Sequence, residues 1–380
     1  QVDTDSYEYM GEGIKDITGY PVSEFSFSFW KSITIEIDMG RELTGLSLDE
    51  VHNKLRRGEI KRLVMDMKIR TKSDEIRWIR DMTTALYDGS GVCNAIFGIF
   101  FDITDRKLVE EELRLKKDEM QKDLDMAREV QMALLSQNYP KSFPENVPEE
   151  QGALHFSHRY IPAATLAGDF FEILPISNHQ AGIMIYDVMG HGVRASLLTA
   201  YLHGLVEELM PIAADPVIFM KRLNAGLSAI MEQFLTGMFA TAFYLVADIK
   251  KGKMFYTNAG HPKPYLLKRN NGNVERLEHN KKLLEPALGL FDKYDYTVSE
   301  CSMNNDDIVL LFTDGIYEVE NAELDMFGEK QLQQIVKDKL SNTPEVMLDA
   351  IIKEINNFAG KTEFSDDVCM VSMHVRKSTL

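Results

Sequence analysis

The residues with the most chemical promise are acids at the ends of apolar runs. In Gly182-Ile183-Met184-Ile185-Tyr186-Asp187-Val188-Met189-Gly190-His191-Gly192, four strand-prone residues lead into Asp187, and a turn with two glycines follows. A carboxylate at the end of a buried strand is held rigidly at the rim of a core. It is costly there unless hydrogen-bonded or bound to a cation. The glycines let backbone amides and carbonyls approach whatever it binds. Three further positions repeat the device. Asp169 follows Gly168. Asp314 follows Ile308-Val309-Leu310-Leu311-Phe312 and precedes Gly315. Asp366 and Asp367 immediately precede a last apolar run. Each alone reads most simply as a turn residue. Together they read as strand edges that converge, where carboxylates repel one another unless cations sit between them.

Oxygen donors without Cys or a required His suit Mg²⁺ or Mn²⁺ rather than zinc. Two such ions can share and ionise a water that attacks phosphorus in line. The nine histidines form no His-x-x-x-His pair, and neither Gly-x-Ser-x-Gly nor Cys-x5-Arg occurs. That argues against a zinc hydrolase and against a Ser or Cys nucleophile. A nucleotide hydrolase or cyclase is disfavoured because no Gly-x-x-x-x-Gly-Lys-Ser/Thr loop is present.

The elements that must position these acids belong to a chain of 380 residues, which suggests two or three domains. The net charge of −17 argues against nonspecific nucleic-acid or anionic-membrane binding. Cys93, Cys301 and Cys369 are odd in number and far apart, as in a reducing cytosol, so a cytoplasmic location is expected. No apolar run approaches the roughly 20 residues that span a bilayer. The chain begins at Gln1 and is expected to be part of a longer one.

Residues 1–104 read as a small α/β module. Strands are expected at Ser6 to Met10, Ile60 to Thr71, Ile76 to Tyr87 and Val92 to Ile103, with helices at Ile14 to Ile17 and Leu48 to Arg57. Residues 105–137 read as a charged helix. Leu113, Met120, Leu124, Ala127 and Leu134 recur in steps of four and three, and Lys117 and Gln131 interrupt the seam. That pattern predicts a short parallel coiled coil and hence a homodimer. The other reading is one amphipathic helix packed on its own domain. Residues 138–380 form the remaining domain. Strands are expected at Leu154 to Ile161, Ile183 to Tyr186, Phe239 to Val246, Lys253 to Thr257, Pro264 to Lys268, Ile308 to Phe312 and Val368 to Val375. Paired helices are expected at Arg194 to Met210, Val217 to Phe234, Glu329 to Leu340 and Pro344 to Ala359. Hairpins with paired helices predict an α+β sandwich, two sheets with helices outside.

Two resemblances sharpen this reading. Asp16-Ile17-Thr18-Gly19-Tyr20-Pro21, the Arg70…Ile76-Arg77-Trp78-Ile79 hairpin and the terminal Asp102-Ile103-Thr104-Asp105-Arg106-Lys107 resemble a PAS domain whose first strand is missing. Such domains bind small ligands, relay signals or dimerise. Cys93 lies in a strand rather than on a core helix, against a photoreactive flavin. His52 reads as a helix-surface residue rather than a haem ligand.

Ala167-Gly168-Asp169-Phe170-Phe171, Asp187-Val188-Met189-Gly190-His191-Gly192, Phe239-Ala240-Thr241, Asn258-Ala259-Gly260-His261-Pro262, Leu311-Phe312-Thr313-Asp314-Gly315-Ile316-Tyr317-Glu318 and Asp366-Asp367 occur in the order found in metal-dependent protein phosphatases of the PPM (type 2C) family. They look most like the bacterial branch that regulates sigma factors. The resemblance implies an α-β-β-α sandwich and two divalent cations, Mn²⁺ or Mg²⁺. It implies that Asp187 bridges both ions with the Val188 carbonyl as a further ligand. Asp169 would hold one ion, and Asp314 with Asp366, or alternatively Asp367, the other. His191 would donate a proton to the leaving serine oxygen. Asn258 and Gly260 would shape the site floor. Ala167 and Glu172 stand where relatives usually have Gly and Asp, and neither change removes a ligand. The implied substrate is a phosphoserine on an anti-anti-sigma protein with a STAS domain, with activity set by the PAS domain. A non-catalytic signalling scaffold is the rival reading.

Overall fold

The computed structural model describes residues 7–40, 43, 45–135, 139–163, 165–190, 192–234, 237–279, 284–360 and 364–376. The chain divides into two compact units, Gln1–Gln121 and Lys122–Leu380.

In the first unit, α1 (Gly13–Thr18) and α2 (Phe27–Ile33) precede β1 (Thr34–Asp38), α3 (Leu48–Arg56), β2 (Arg62–Arg70), β3 (Ile76–Tyr87) and β4 (Cys93–Asp102). The four strands form one antiparallel sheet in the order β1-β2-β3-β4. Ser47 starts α3 through a capping box with Glu50. Tyr7 to Met10 do not form the expected strand. The sheet edge beside β2 is taken instead by β1, which the sequence reading missed together with α2. His52 sits on α3 with Nδ1 2.9 Å from the Leu48 carbonyl, as a helix-surface residue would.

One sheet face is apolar and covered. Leu63, Met65, Met67, Ile69 and Ile79 pack with Trp30, Ile33 and Val51, and Trp30 stacks on Phe100. Asp81 lies among them, 5% exposed, accepting a 2.5 Å hydrogen bond from Thr83 Oγ1. Burial pushes its pKa up to about 6. An acid with a raised pKa destabilises the fold as pH climbs from its unfolded value through the folded one, and the penalty is complete above that. Asp81→Asn is therefore expected to stabilise this unit by about 2 kcal/mol at pH near 8, and by about half of that at pH near 5. Both tryptophans, Trp30 and Trp78, lie in this unit, so urea unfolding followed by tryptophan fluorescence isolates it. An equal gain at both pH values would contradict the assignment.

A long helix, α4 (Thr104–Leu135), follows. The expected seam is divided along it. Leu113 and Met120 are exposed, whereas Leu124 and Ala127 are half-buried and Gln131 is buried. Leu134 lies among the residues whose side chains are not described.

The second unit is a sandwich. One sheet has the order β13-β10-β9-β8-β7 and the other β12-β11-β14-β15-β6-β5, all antiparallel. Its strands are β5 (Ser142–Phe143), β6 (Leu154–Ile161), β7 (Phe170–Ser177), β8 (Gln180–Val188), β9 (Ala240–Asp248), β10 (Lys253–Ala259), β11 (Tyr265–Lys268), β12 (Asn273–Arg276), β13 (Ser299–Ser302), β14 (Asp307–Phe312) and β15 (Val368–Val375). Helices α5 (Val193–Leu209) and α6 (Pro216–Phe234) cover the first sheet, and α7 (Gly328–Asp338) and α8 (Pro344–Ala359) the second. The unbroken apolar runs follow from this layering. Ile183 and Ile185 of β8 face the opposite sheet while Met184 and Tyr186 face helices. In β14, Val309 and Leu311 face the other sheet, and Ile308, Leu310 and Phe312 face α7 and α8. Strands covered on both faces show no polar alternation.

The spacing of Leu198, Leu202, Leu205 and Leu209 puts four leucines on one side of α5, but the buried face is a different one. Ala195, Thr199, Leu202, His203 and Val206 are buried, while Leu198, Leu205 and Leu209 are only partly so. Leu205 packs instead over Gly226 of α6, where a Cβ would come within 2.7 Å of its methyl.

Candidate active site

Three strand ends and one turn meet at the rim of the sandwich. Asp187 sits near the end of β8, opposite Thr241 of β9. The turn after it needs left-handed backbone at Gly190 (φ 88°) and Gly192 (φ 82°), which leads directly into α5. Asp169 immediately precedes β7. Its neighbour Gly168 is pressed against this turn, and a Cβ there would lie 2.9 Å from the Val188 carbonyl oxygen and 3.1 Å from that of Gly190. Asp314 opens a short 3₁₀ turn after β14, its carbonyl accepting from the amides of Tyr317 and Glu318 at 2.9 Å. Asp366 and Asp367 lead into β15, which pairs with β14.

The acids share one electrostatic neighbourhood. Burial, and then the charge of Asp187, push the Asp169 carboxyl well above the usual range. Asp187 is raised by burial and by Asp366, Asp367 and Glu318, while contact with the Asp169 carboxyl opposes the shift. Asp314 is pushed up to about 7 by burial, then by Asp187, Glu318 and Asp366. Asp169 is 2% exposed, and its Oδ2 is buried without a hydrogen-bond partner. Among the described residues no three His, Cys, Asp or Glu side chains stand close enough to hold an ion as they are. The donor chemistry nonetheless fits a hard cation: clustered carboxylates, one with an orphaned buried oxygen, beside backbone carbonyls held close by a glycine.

Asp366 and Asp367 are not equivalent. Asp367 is 2% exposed and both its oxygens are engaged by backbone. Oδ1 accepts from the Ala163 amide at 2.8 Å, and Oδ2 from the Gly168 amide at 2.7 Å and the Asp169 amide at 3.4 Å. Asp366 is exposed, and its Oδ1 accepts from the Asp367 amide. Asp367 thus straps the segment that carries Asp169. Thr199 of α5 holds the same segment, donating to the Gly168 carbonyl at 2.7 Å. The sequence reading missed Thr199, and no local signal marks it.

Other expected residues resolve as follows. His191 lies outside the described residues. Asn258 closes its own turn, its Oδ1 accepting from the His261 amide at 2.7 Å and its Nδ2 donating to the His261 carbonyl at 2.9 Å. His261 is buried, with Nδ1 2.8 Å from Thr241 Oγ1. Burial holds its pKa down to about 3, so it stays neutral. Glu172 points into the helix-covered core, where His203 Nδ1 lies 2.8 Å and Tyr186 OH 3.3 Å from its Oε1.

The family model for stage II sporulation protein E (SpoIIE) matches residues 177–376, just over half the chain. The chain is 28% identical to the phosphoserine phosphatase RsbP of Bacillus subtilis over 256 residues, 67% of this chain and 58% of that protein. It is 26% identical to the phosphoserine phosphatase RsbU of the same organism over 237 residues, 62% and 65% of the two chains. It therefore spans less than two thirds of either relative. The SiaA-PP2C domain of Pseudomonas aeruginosa superposes with a TM-score of 0.57 over 68% of this chain and 98% of that domain, at 17% identity, which shows a shared PP2C-type fold. Residues 177–376 hold Asp187, Asp314, Asp366 and Asp367, and on that match the chain belongs to the SpoIIE family.

Proposed function

We propose that this chain is a metal-dependent serine/threonine protein phosphatase whose substrate is a phosphoserine on a STAS-type anti-anti-sigma protein. The observation that carries the reading is the shared electrostatic neighbourhood in which Asp187 acts on both Asp169 and Asp314 and is itself acted on by Asp366, with a buried, unpartnered oxygen on Asp169. Asp187 with the Val188 carbonyl, Asp169, Asp314 and Asp366 would hold two Mn²⁺ or Mg²⁺ ions. When bound, such ions supply an ionised water and neutralise phosphate charge. Asp367 serves as the strap for the Asp169 segment rather than as a ligand. Relatives named phosphoserine phosphatases support the reaction, and the likeness to the sigma-factor-regulating branch supports the substrate. His191, four residues after Asp187 in the sequence, is the proton donor to the leaving oxygen in this reading.

The first unit acts as a PAS sensor in this proposal, and the protein as a homodimer. Phe97, Ile99 and Phe101 of β4 are exposed on the sheet face away from Trp30, and Leu113 and Met120 are exposed on α4. That apolar surface suits a second copy of the chain. No helix among the described residues is long and apolar enough to cross a membrane.

The test is release of phosphate from a phosphoserine STAS protein with Mn²⁺ and with EDTA. Hydrolysis only with metal is expected. Its absence under both conditions, with a folded protein, favours the scaffold.

A further inference from the structure

The side chain that breaks the apolar stripe of α4 is itself buried: Gln131 is 6% exposed. Its amide engages both backbone groups of one residue. Nε2 donates to the Ala167 carbonyl at 2.9 Å, and Oε1 accepts from the Ala167 amide at 3.4 Å. The side chain thus pairs with residue 167 as a neighbouring strand would. Ala167 lies two residues before Asp169. The segment between Ala163 and Asp169 is held from two other directions, by Asp367 through three amides and by Thr199 through the Gly168 carbonyl. Those two contacts act at its ends. Gln131 acts on its last turn before the acid, from a helix outside the matched family segment.

We propose that Gln131 is a positioning residue for Asp169. It sets how deeply that carboxylate enters the acidic cluster, and through that the affinity for a divalent cation. The proposal rests on the metal-site reading above. A polar side chain at this buried seam position has no packing advantage over Leu or Met, and a lone buried amide is costly unless both its groups are satisfied. The backbone N–H and C=O of Ala167 satisfy both. Outer residues that orient metal ligands typically change metal affinity by about 10- to 100-fold when removed.

The test uses the full chain carrying Gln131→Met, similar in length but without the paired donor and acceptor. Mn²⁺ is titrated by calorimetry, and amide hydrogen exchange at Ala167 to Asp169 is followed without metal. Expected are an affinity about tenfold weaker and faster exchange at those amides, with turnover at saturating Mn²⁺ within about twofold of wild type. If Gln131→Met does not fold, Gln131→Glu, which keeps the volume and loses the donor, is read by the same two measurements. Wild-type affinity with wild-type exchange overturns the proposal. So does a loss of turnover that saturating metal does not restore, since that is a general structural defect. If wild-type protein takes up no Mn²⁺, the metal-site reading fails and this inference with it. If wild type binds and the variant binds equally, this inference alone fails.

Discussion

Asp314→Asn is expected to lower metal-dependent phosphatase turnover by about a thousandfold or more, while leaving the metal-free protein at least as stable as wild type. Asp314 is half-buried and feels the charges of Asp187, Glu318 and Asp366. Replacing one carboxylate by an amide of the same shape removes a hard anionic donor, which an amide oxygen replaces poorly. The same change also removes like-charge repulsion, so nothing in the metal-free fold is lost. A packing residue would behave in the opposite way, losing stability and activity together. The measurements are turnover of a phosphoserine protein across a Mn²⁺ series and thermal unfolding in EDTA. Turnover within tenfold of wild type would remove Asp314 from the ligand set. A large fall in unfolding temperature would make it a structural residue.

The second large effect is expected at Gly315. This glycine has no special backbone dihedral, but a Cβ there would overlap the carbonyl oxygen of Asp367 and crowd the carbonyl carbon of Asp366. Its neighbours are backbone atoms of the turn entering β15, and they cannot rotate away as a side chain could. Thr313 already joins the two chains here, its amide donating to the Cys369 carbonyl and its hydroxyl accepting from the Cys369 amide, each at 3.1 Å. Gly315→Ala must therefore push the 366–367 turn outward. That displaces Asp366 and loosens the hold of Asp367 on Ala163, Gly168 and Asp169. The expected cost is about 2–3 kcal/mol of stability in the second unit, with Mn²⁺ affinity falling at least about tenfold. Urea unfolding by far-ultraviolet circular dichroism and a calorimetric Mn²⁺ titration check both. An unchanged midpoint with unchanged affinity would show that the turn moves freely, and the close approach would then carry no functional weight.

These two neighbours, Asp314 and Gly315, differ in how they reveal themselves. The importance of Asp314 is legible from its place after five apolar residues. That of Gly315 depends on a chain segment about fifty residues away.

The same division runs through the whole protein. Local sequence sufficed for whatever depends on near neighbours. Apolar runs such as Ile183 to Tyr186 and Ile308 to Phe312 became strands because they are long enough to cross a sandwich covered on both faces. The glycines after Asp187 marked a turn, since backbone geometry is a property of the residue itself. The acids at strand ends were visible for the same reason. β1 escaped because its five residues are short and half exposed, so their pattern does not rise above that of a loop.

Tertiary structure alone decided what depends on partners distant in the chain. Nothing local separates Asp366 from Asp367. The register of β15 leaves one exposed and turns the other toward three amides some two hundred residues earlier. Gln131 looked like a flaw in a coiled-coil seam until Ala167 was found across from it. Periodicity records that a face is buried. Which surface covers that face is settled only when the chain folds back, because a hydrogen bond needs its partner within about 3 Å and sequence distance does not encode that.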